Sequence, residues 1–182
     1  MAKIYFVYGI ILVAGMGFRP YHSSHLLKTG AKGSRSAIVA RALAEIGVRE
    51  STNPNHGLRV EEYLAYVYLK GGQPWCAAYA SWVYAQAGYA KPRSGWSPDL
   101  FPSSRLARSA LPGNVLGIYF PELKRIAHVG IVIRQDGDWV ISSEGNTNDN
   151  GSREGDGVYL KRRHIRTIKQ FADWTNETGS RP

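Results

Sequence analysis

Apolar residues recur at helical spacing up to Gly88 and then, after a proline-rich interval, in short runs of strand length. Three segments make up the helical part. "SAIVARALAEIGV" sets Ile38, Ala42, Leu43 and Ile46 near one face, with Ser36 as N-cap and Gly47 near its end. "RVEEYLAYVYLKGG" repeats that spacing with Val60, Leu64, Val67 and Tyr68 and stops at Gly71 and Gly72. "PWCAAYASWVYAQAG" has Pro74 near its first turn and Gly88 as its terminator. The second part reads as strands over 114–120, 126–134, 139–145 and 157–165, and Asp136-Gly137 between two of them signals a hairpin. Helices first and an antiparallel sheet second define an α+β fold. Between the parts, residues 91–113 carry four prolines and no sustained period, so they read as a long surface connection of the kind that often serves function.

With 182 residues the chain suits one domain that folds without disulfides or metals. Its single cysteine excludes an intrachain disulfide and leaves one thiol to explain. The 23 Lys and Arg against 14 Asp and Glu give a formal net charge of +9, which favours anionic partners. No basic run is interleaved with stacking aromatics, and "KRRHIR" (161–166) reads as a solvated basic edge, so no nucleic-acid partner is expected. The uncharged run Ile4 to Phe18 is short for a bilayer span, which needs about 20 apolar residues, and its length fits a signal-peptide core. Residues 1–18 are therefore expected to be a signal peptide or membrane anchor, 19–35 a linker, and 36–182 the folded domain. "NTNDNG" (146–151) mimics half a calcium loop, but its twelfth position is Gly157 and its first is neutral, so it reads as a turn and no metal site is expected.

Cys76 opens the third helical segment. A helix N-terminus favours the thiolate, because unsatisfied N–H groups and the macrodipole both attract negative charge. A free cysteine at such a place is equally a packing residue, since free cysteines are among the most buried side chains. A nucleophilic thiol needs a base, and His128 in "IAHVGIV" interrupts an otherwise apolar strand. A base needs an orienting group, and the next strand supplies Glu144 and Asn146, two apart and on one face. Which face depends on the turn. A two-residue turn at Asp136-Gly137 brings His128 opposite Gly145 and leaves both residues on the other face; a three-residue loop or a bulge brings one of them opposite the imidazole. Spacing leaves that choice open.

With these residues assembled, the chain resembles the CHAP family of cysteine, histidine-dependent amidohydrolases and peptidases, relatives of NlpC-type and papain-like enzymes. The resemblance covers about residues 36–170 and is carried by "NHGLRVEEYL", "PWCAAYASWVYAQAG", "AHVGIVI" and "EGNTN". It implies a papain-like fold with the nucleophile at a helix N-terminus. By the same resemblance Cys76 attacks an amide carbonyl, His128 moves the proton, Glu144 orients His128, and Asn146 supports the site. The Cys76 N–H is the first oxyanion donor, with Gln73 and Trp75 beside it on the oxyanion and substrate side. This role for Glu144 implies the shifted register.

Further implications are a monomer with no cofactor, located in the bacterial envelope or secreted, that cleaves amide bonds of peptidoglycan stem peptides as an N-acetylmuramoyl-L-alanine amidase or a cross-link endopeptidase. A phage-derived origin fits equally. The two other readings of the same constellation are a non-catalytic wall-binding module and a secreted antibacterial amidase. Where relatives often have Asp and Gly, this chain has Asn114 after Pro112-Gly113 and Ala127 before His128.

Overall fold

The computed structural model describes residues 31–149 and 154–176. The apolar N-terminal run, most of the linker and residues 150–153 of the Gly/Asn loop lie outside the described residues.

Among the described residues three helices lean on one face of a six-stranded antiparallel sheet, an α+β arrangement as the order of periods predicts. Helix α1 (Arg35–Ala44) starts one residue before the predicted cap: Ser34, not Ser36, accepts the Ala37 N–H at 3.2 Å. It also ends early, and this changes which of its residues face inward. Ile38 and Ala42 are buried as expected, but Ile46 is exposed and Glu45 is buried in its place. Arg59 Nε at 2.9 Å and the Tyr63 hydroxyl at 2.6 Å, both donating to Glu45, offset the cost of burying that carboxylate.

Helix α2 (Leu58–Tyr66) buries Val60, Tyr63 and Leu64. It stops short of the two glycines, and Tyr68, expected on the buried face, is exposed with a left-handed φ of 63°.

Helix α3 (Cys76–Gln86) is central. Every residue from Cys76 to Tyr84 is buried, so the helix is apolar all round instead of amphipathic, with α1, α2 and the sheet covering it. Gly88 ends it at φ 98°, with Gly88 N–H bonded to the Ala85 carbonyl and Tyr89 N–H to the Tyr84 carbonyl, the paired bonds of a Schellman cap.

The sheet comprises β1 (Leu106–Ala107), β2 (Val115–Phe120), β3 (Arg125–Asp136), β4 (Trp139–Thr147), β5 (Gly157–His164) and β6 (Gln170–Ala172), in the spatial order β1-β6-β2-β3-β4-β5. The predicted strands are β2 to β5; β1 and β6 are too short to leave a period. The proline-rich connection is less purely superficial than its composition suggests, because its short 3-10 turn Ser97–Leu100 buries Ser97 and Leu100.

Two irregularities in β3 govern the site. The β3–β4 turn is Gly137-Asp138, one residue later than expected, with Asp136 paired to Trp139. A bulge then leaves Ile133 unpaired, so that Val132 faces Ser142 and Ile131 faces Ser143. One further step along that register puts Gly130 opposite Glu144. Without the bulge Glu144 would stand opposite Ile131, a residue packed on the helix side of the sheet. The second bulge, at Ala127, falls between the pairs Ile118–His128 and Tyr119–Ile126.

Candidate active site

Cys76 is the first residue of α3 and its side chain is almost wholly covered, at 5% exposure. The helix start is fixed by Trp75, whose buried ring stacks on Tyr63 at 5.6 Å between centroids and whose indole N–H donates to Glu50 at 2.8 Å. Gly145 on β4 makes the close approach to the sheet: a Cβ there would stand 2.6 Å from the Trp75 ring and 2.8 Å from that of Tyr79. A helix start held in this way presents the thiol at one place.

Three groups meet the sulfur. The Ser97 hydroxyl lies 3.5 Å away, and the His128 side chain and the Val129 backbone N–H also hydrogen-bond it. Ser97 is kept there by the loop that carries it, since Ser94 is bonded through its carbonyl and its N–H to the Ser81 hydroxyl of α3.

On β3, His128 Nε2 lies 2.8 Å from Glu144 Oε2, which leaves the other ring nitrogen for Cys76. Glu144 is fully buried. Its Oε1 accepts from Ser142 at 2.6 Å and from Arg163 Nε at 2.8 Å, and its Oε2 accepts from His128 and from the second arm of Arg163 at 2.5 Å. Cys76, His128 and Glu144 thus form one chain of hydrogen bonds, closed at its far end by a bidentate arginine.

The charge balance follows from these contacts. Burial raises the Cys76 pKa, but the hydrogen bond and the charge of His128, with Ser97 and Val129, outweigh it and the thiol falls below its ordinary 9.0. Burial would lower that of His128, yet hydrogen bonds to Cys76 and Glu144 and their charges lift it from 6.5 to about 9. Glu144 is opposed by burial too, and Arg163 and His128 bring it from 4.5 down to about 2. All three shifts favour a thiolate beside an imidazolium over a carboxylate, which is the ionisation a nucleophilic cysteine uses.

The remaining predicted residues divide. Gln73 lines the same cleft as Cys76, a hollow of about 420 Å³. Trp75 has no exposed surface, so it cannot touch a substrate; it braces the helix start instead. Asn146 is also engaged elsewhere. It sits at a left-handed φ of 54° where β4 breaks register with β5, and its amide donates to Asn55 at 2.9 Å and to Glu50 at 3.3 Å. Both nitrogens of His128 are occupied without it. Asn146 therefore ties β4 to the segment before α2 through Glu50, which also holds Trp75 and the Asn55 N–H.

Sequence reasoning missed Ser97, Ser142 and Arg163. Ser142 had a signal, a hydroxyl two residues before Glu144 on the same face of an apolar strand. Arg163 lay hidden in "KRRHIR", where alternation along β5 turns it toward Glu144 while Arg162 covers the Trp139 ring at 3.7 Å on the other face. Among the described residues no group of three or more His, Cys, Asp or Glu side chains could hold a metal ion.

The fold and site define an α+β protein with a hydrogen-bonded cysteine, histidine and glutamate where a helix start meets a sheet. No protein-family model matches this chain, and no curated protein does.

Proposed function

We propose that this protein is a cysteine hydrolase of amide bonds in bacterial peptidoglycan, with a papain-like arrangement of the CHAP type. The observation that carries the reading is the chain Cys76–His128–Glu144, with a lowered thiol at a helix start and a raised imidazole beside it. The Cys76 thiolate attacks the carbonyl carbon of the amide, and the Cys76 backbone N–H, with Gln73, faces the developing oxyanion. The C–N bond breaks as the His128 imidazolium gives its proton to the leaving amine. Water then attacks the thioester as His128 takes one of its protons, and the C–S bond breaks to release the sulfur as a thiolate beside the imidazolium, which restores the pair. Glu144 holds the ring and stabilises its charge without receiving a proton, since its own pKa of about 2 keeps it ionised.

The net charge of +9 suits an acidic wall polymer. The reading is tested by zymography and by turbidity loss on purified peptidoglycan. Wild type is expected to clear the substrate and Cys76→Ala to leave it intact; equal behaviour of the two sinks the proposal. Mass spectrometry of the released muropeptides then identifies the bond from the new free amine.

A further inference from the structure

The cleft that holds Cys76 is walled on one side by Trp96 and Arg125. Arg125, the first residue of β3, lies over the Trp96 ring, its guanidinium carbon 3.9 Å from the ring centroid. Its Nη1 donates to the Ile126 carbonyl at 3.2 Å, and no described carboxylate pairs with it. Among the described residues lining this cleft, Arg125 is the one basic side chain, set against the thiolate of Cys76. The contrast with Arg35, Arg59 and Arg163 is direct, because each of those is matched to an acidic side chain.

The platform beneath Arg125 is fixed. Trp96 N–H donates to the Ser94 hydroxyl at 3.0 Å, that hydroxyl donates to Asp99 at 2.7 Å, and Gly95 lets the loop press onto Leu69, where a Cβ would stand 2.4 Å from Leu69 Cδ1. Trp96 nevertheless keeps half its surface exposed. A guanidinium stacked on an indole has its planar edge free for a ligand, and that edge matches a carboxylate in shape and charge.

We propose that Arg125, held on Trp96, is the carboxylate-recognising subsite of the Cys76 cleft, selecting peptides that carry a free carboxylate near the scissile amide over their carboxamide counterparts. The subsite rests on the hydrolase reading for the identity of that peptide. It makes amidation of the stem peptide, a change of one charged group to a neutral one of the same shape, the chemical difference to which this protein is sensitive.

The test uses two N-acylated stem peptides that differ only in a free or amidated α-carboxylate at the second residue. Turnover is followed with the wild-type chain, and binding is titrated calorimetrically with Cys76→Ala. The acid is expected to show a KM and a dissociation constant about tenfold lower than the amide, the order expected of a charge-assisted pair. Arg125→Gln is expected to lose the preference and Arg125→Lys to keep part of it. Turnover by wild type with equal constants for the two peptides, or a preference that survives in Arg125→Gln, overturns the subsite and leaves the hydrolase standing. A binding preference without turnover supports the subsite and overturns the hydrolase, and neither binding nor turnover overturns both.

Discussion

The Glu144 side chain lies across the space that a side chain at residue 130 would fill: a Cβ built on Gly130 would stand 2.5 Å from Glu144 Cγ and 3.2 Å from the Ser143 carbonyl oxygen. The absence of that one atom lets a fully buried carboxylate reach the imidazole on the same face of the sheet. Glu144 cannot swing clear, because Ser142, Arg163 and His128 hold both its oxygens.

Gly130→Ala is therefore expected to force a choice between a strained strand and a displaced carboxylate. Overpacking of this kind costs about 1–3 kcal/mol, so the midpoint of urea unfolding should fall accordingly. Hydrolysis should fall more steeply than stability, since the His128 ring loses its anchor. A variant with unchanged unfolding and unchanged rate would show that Glu144 is free to move.

Stability should depend on pH through the same pair. Glu144 is depressed from 4.5 to about 2, so its contribution is present above 4.5 and is lost as the pH falls toward 2. His128 is raised from 6.5 to about 9, so its contribution is full below 6.5 and is lost as the pH rises through 9. These two contributions are both full only between about 4.5 and 6.5, and the part of the thermal midpoint they set should be highest there, while the lowered Cys76 thiol adds stability with the opposite slope as the pH rises toward 9.0. In Glu144→Gln that maximum should flatten. The variant should also be less stable throughout, because removing one partner of a buried ion pair costs about 3–5 kcal/mol. A wild-type curve that keeps rising above 9 would contradict the assignment.

What was legible in the sequence is whatever a local pattern carries. The periods gave three helices and four long strands, and the interruption of an apolar strand marked His128, while the helix start marked Cys76. Less visible was anything set by backbone irregularity or by distant contact. The Ile133 bulge decides the face on which Glu144 falls, and it leaves no trace in the sequence because the run from Val129 to Ile133 carries no polar residue to mark an alternation. Glu45 and Ile46 exchange places because Arg59 and Tyr63, on the next helix, supply partners for the carboxylate. Asn146 carries the residue type expected of an orienting group, yet its left-handed backbone turns the amide to Asn55 and Glu50.

Asn146 should accordingly behave as a structural residue. Asn146→Ala loses the bonds to Asn55 and Glu50 and must hold a left-handed φ with a Cβ, at a cost of about 1–3 kcal/mol. Asn146→Gly relieves the backbone part and should recover some of that loss. Neither change should move the pH dependence of kcat/KM, whereas Glu144→Gln should shift its alkaline limb down from about 9 toward 6.5 as His128 loses the carboxylate that stabilises its charge. Measuring the three profiles side by side separates an orienter from a brace, and an Asn146→Ala profile displaced like that of Glu144→Gln would reverse the assignment.

Ser97 offers the most direct reading of the thiol itself. Its hydroxyl, 3.5 Å from the sulfur, donates to the thiolate and accepts from the neutral thiol, and its net effect is to lower the Cys76 pKa. Iodoacetamide alkylation of the single cysteine reports the thiolate alone, so its rate against pH traces the titration without any assumption about substrate. In wild type the rate should rise at a pH below the ordinary 9.0. Ser97→Ala should move the rise to higher pH and slow alkylation at neutral pH by about threefold to tenfold, the value of one ordinary hydrogen bond. His128→Gln should move it further, since it removes the partner whose hydrogen bond and charge are the largest influences lowering the thiol. If Ser97→Ala and wild type titrate together, the thiolate is held by His128 and Val129 without the hydroxyl.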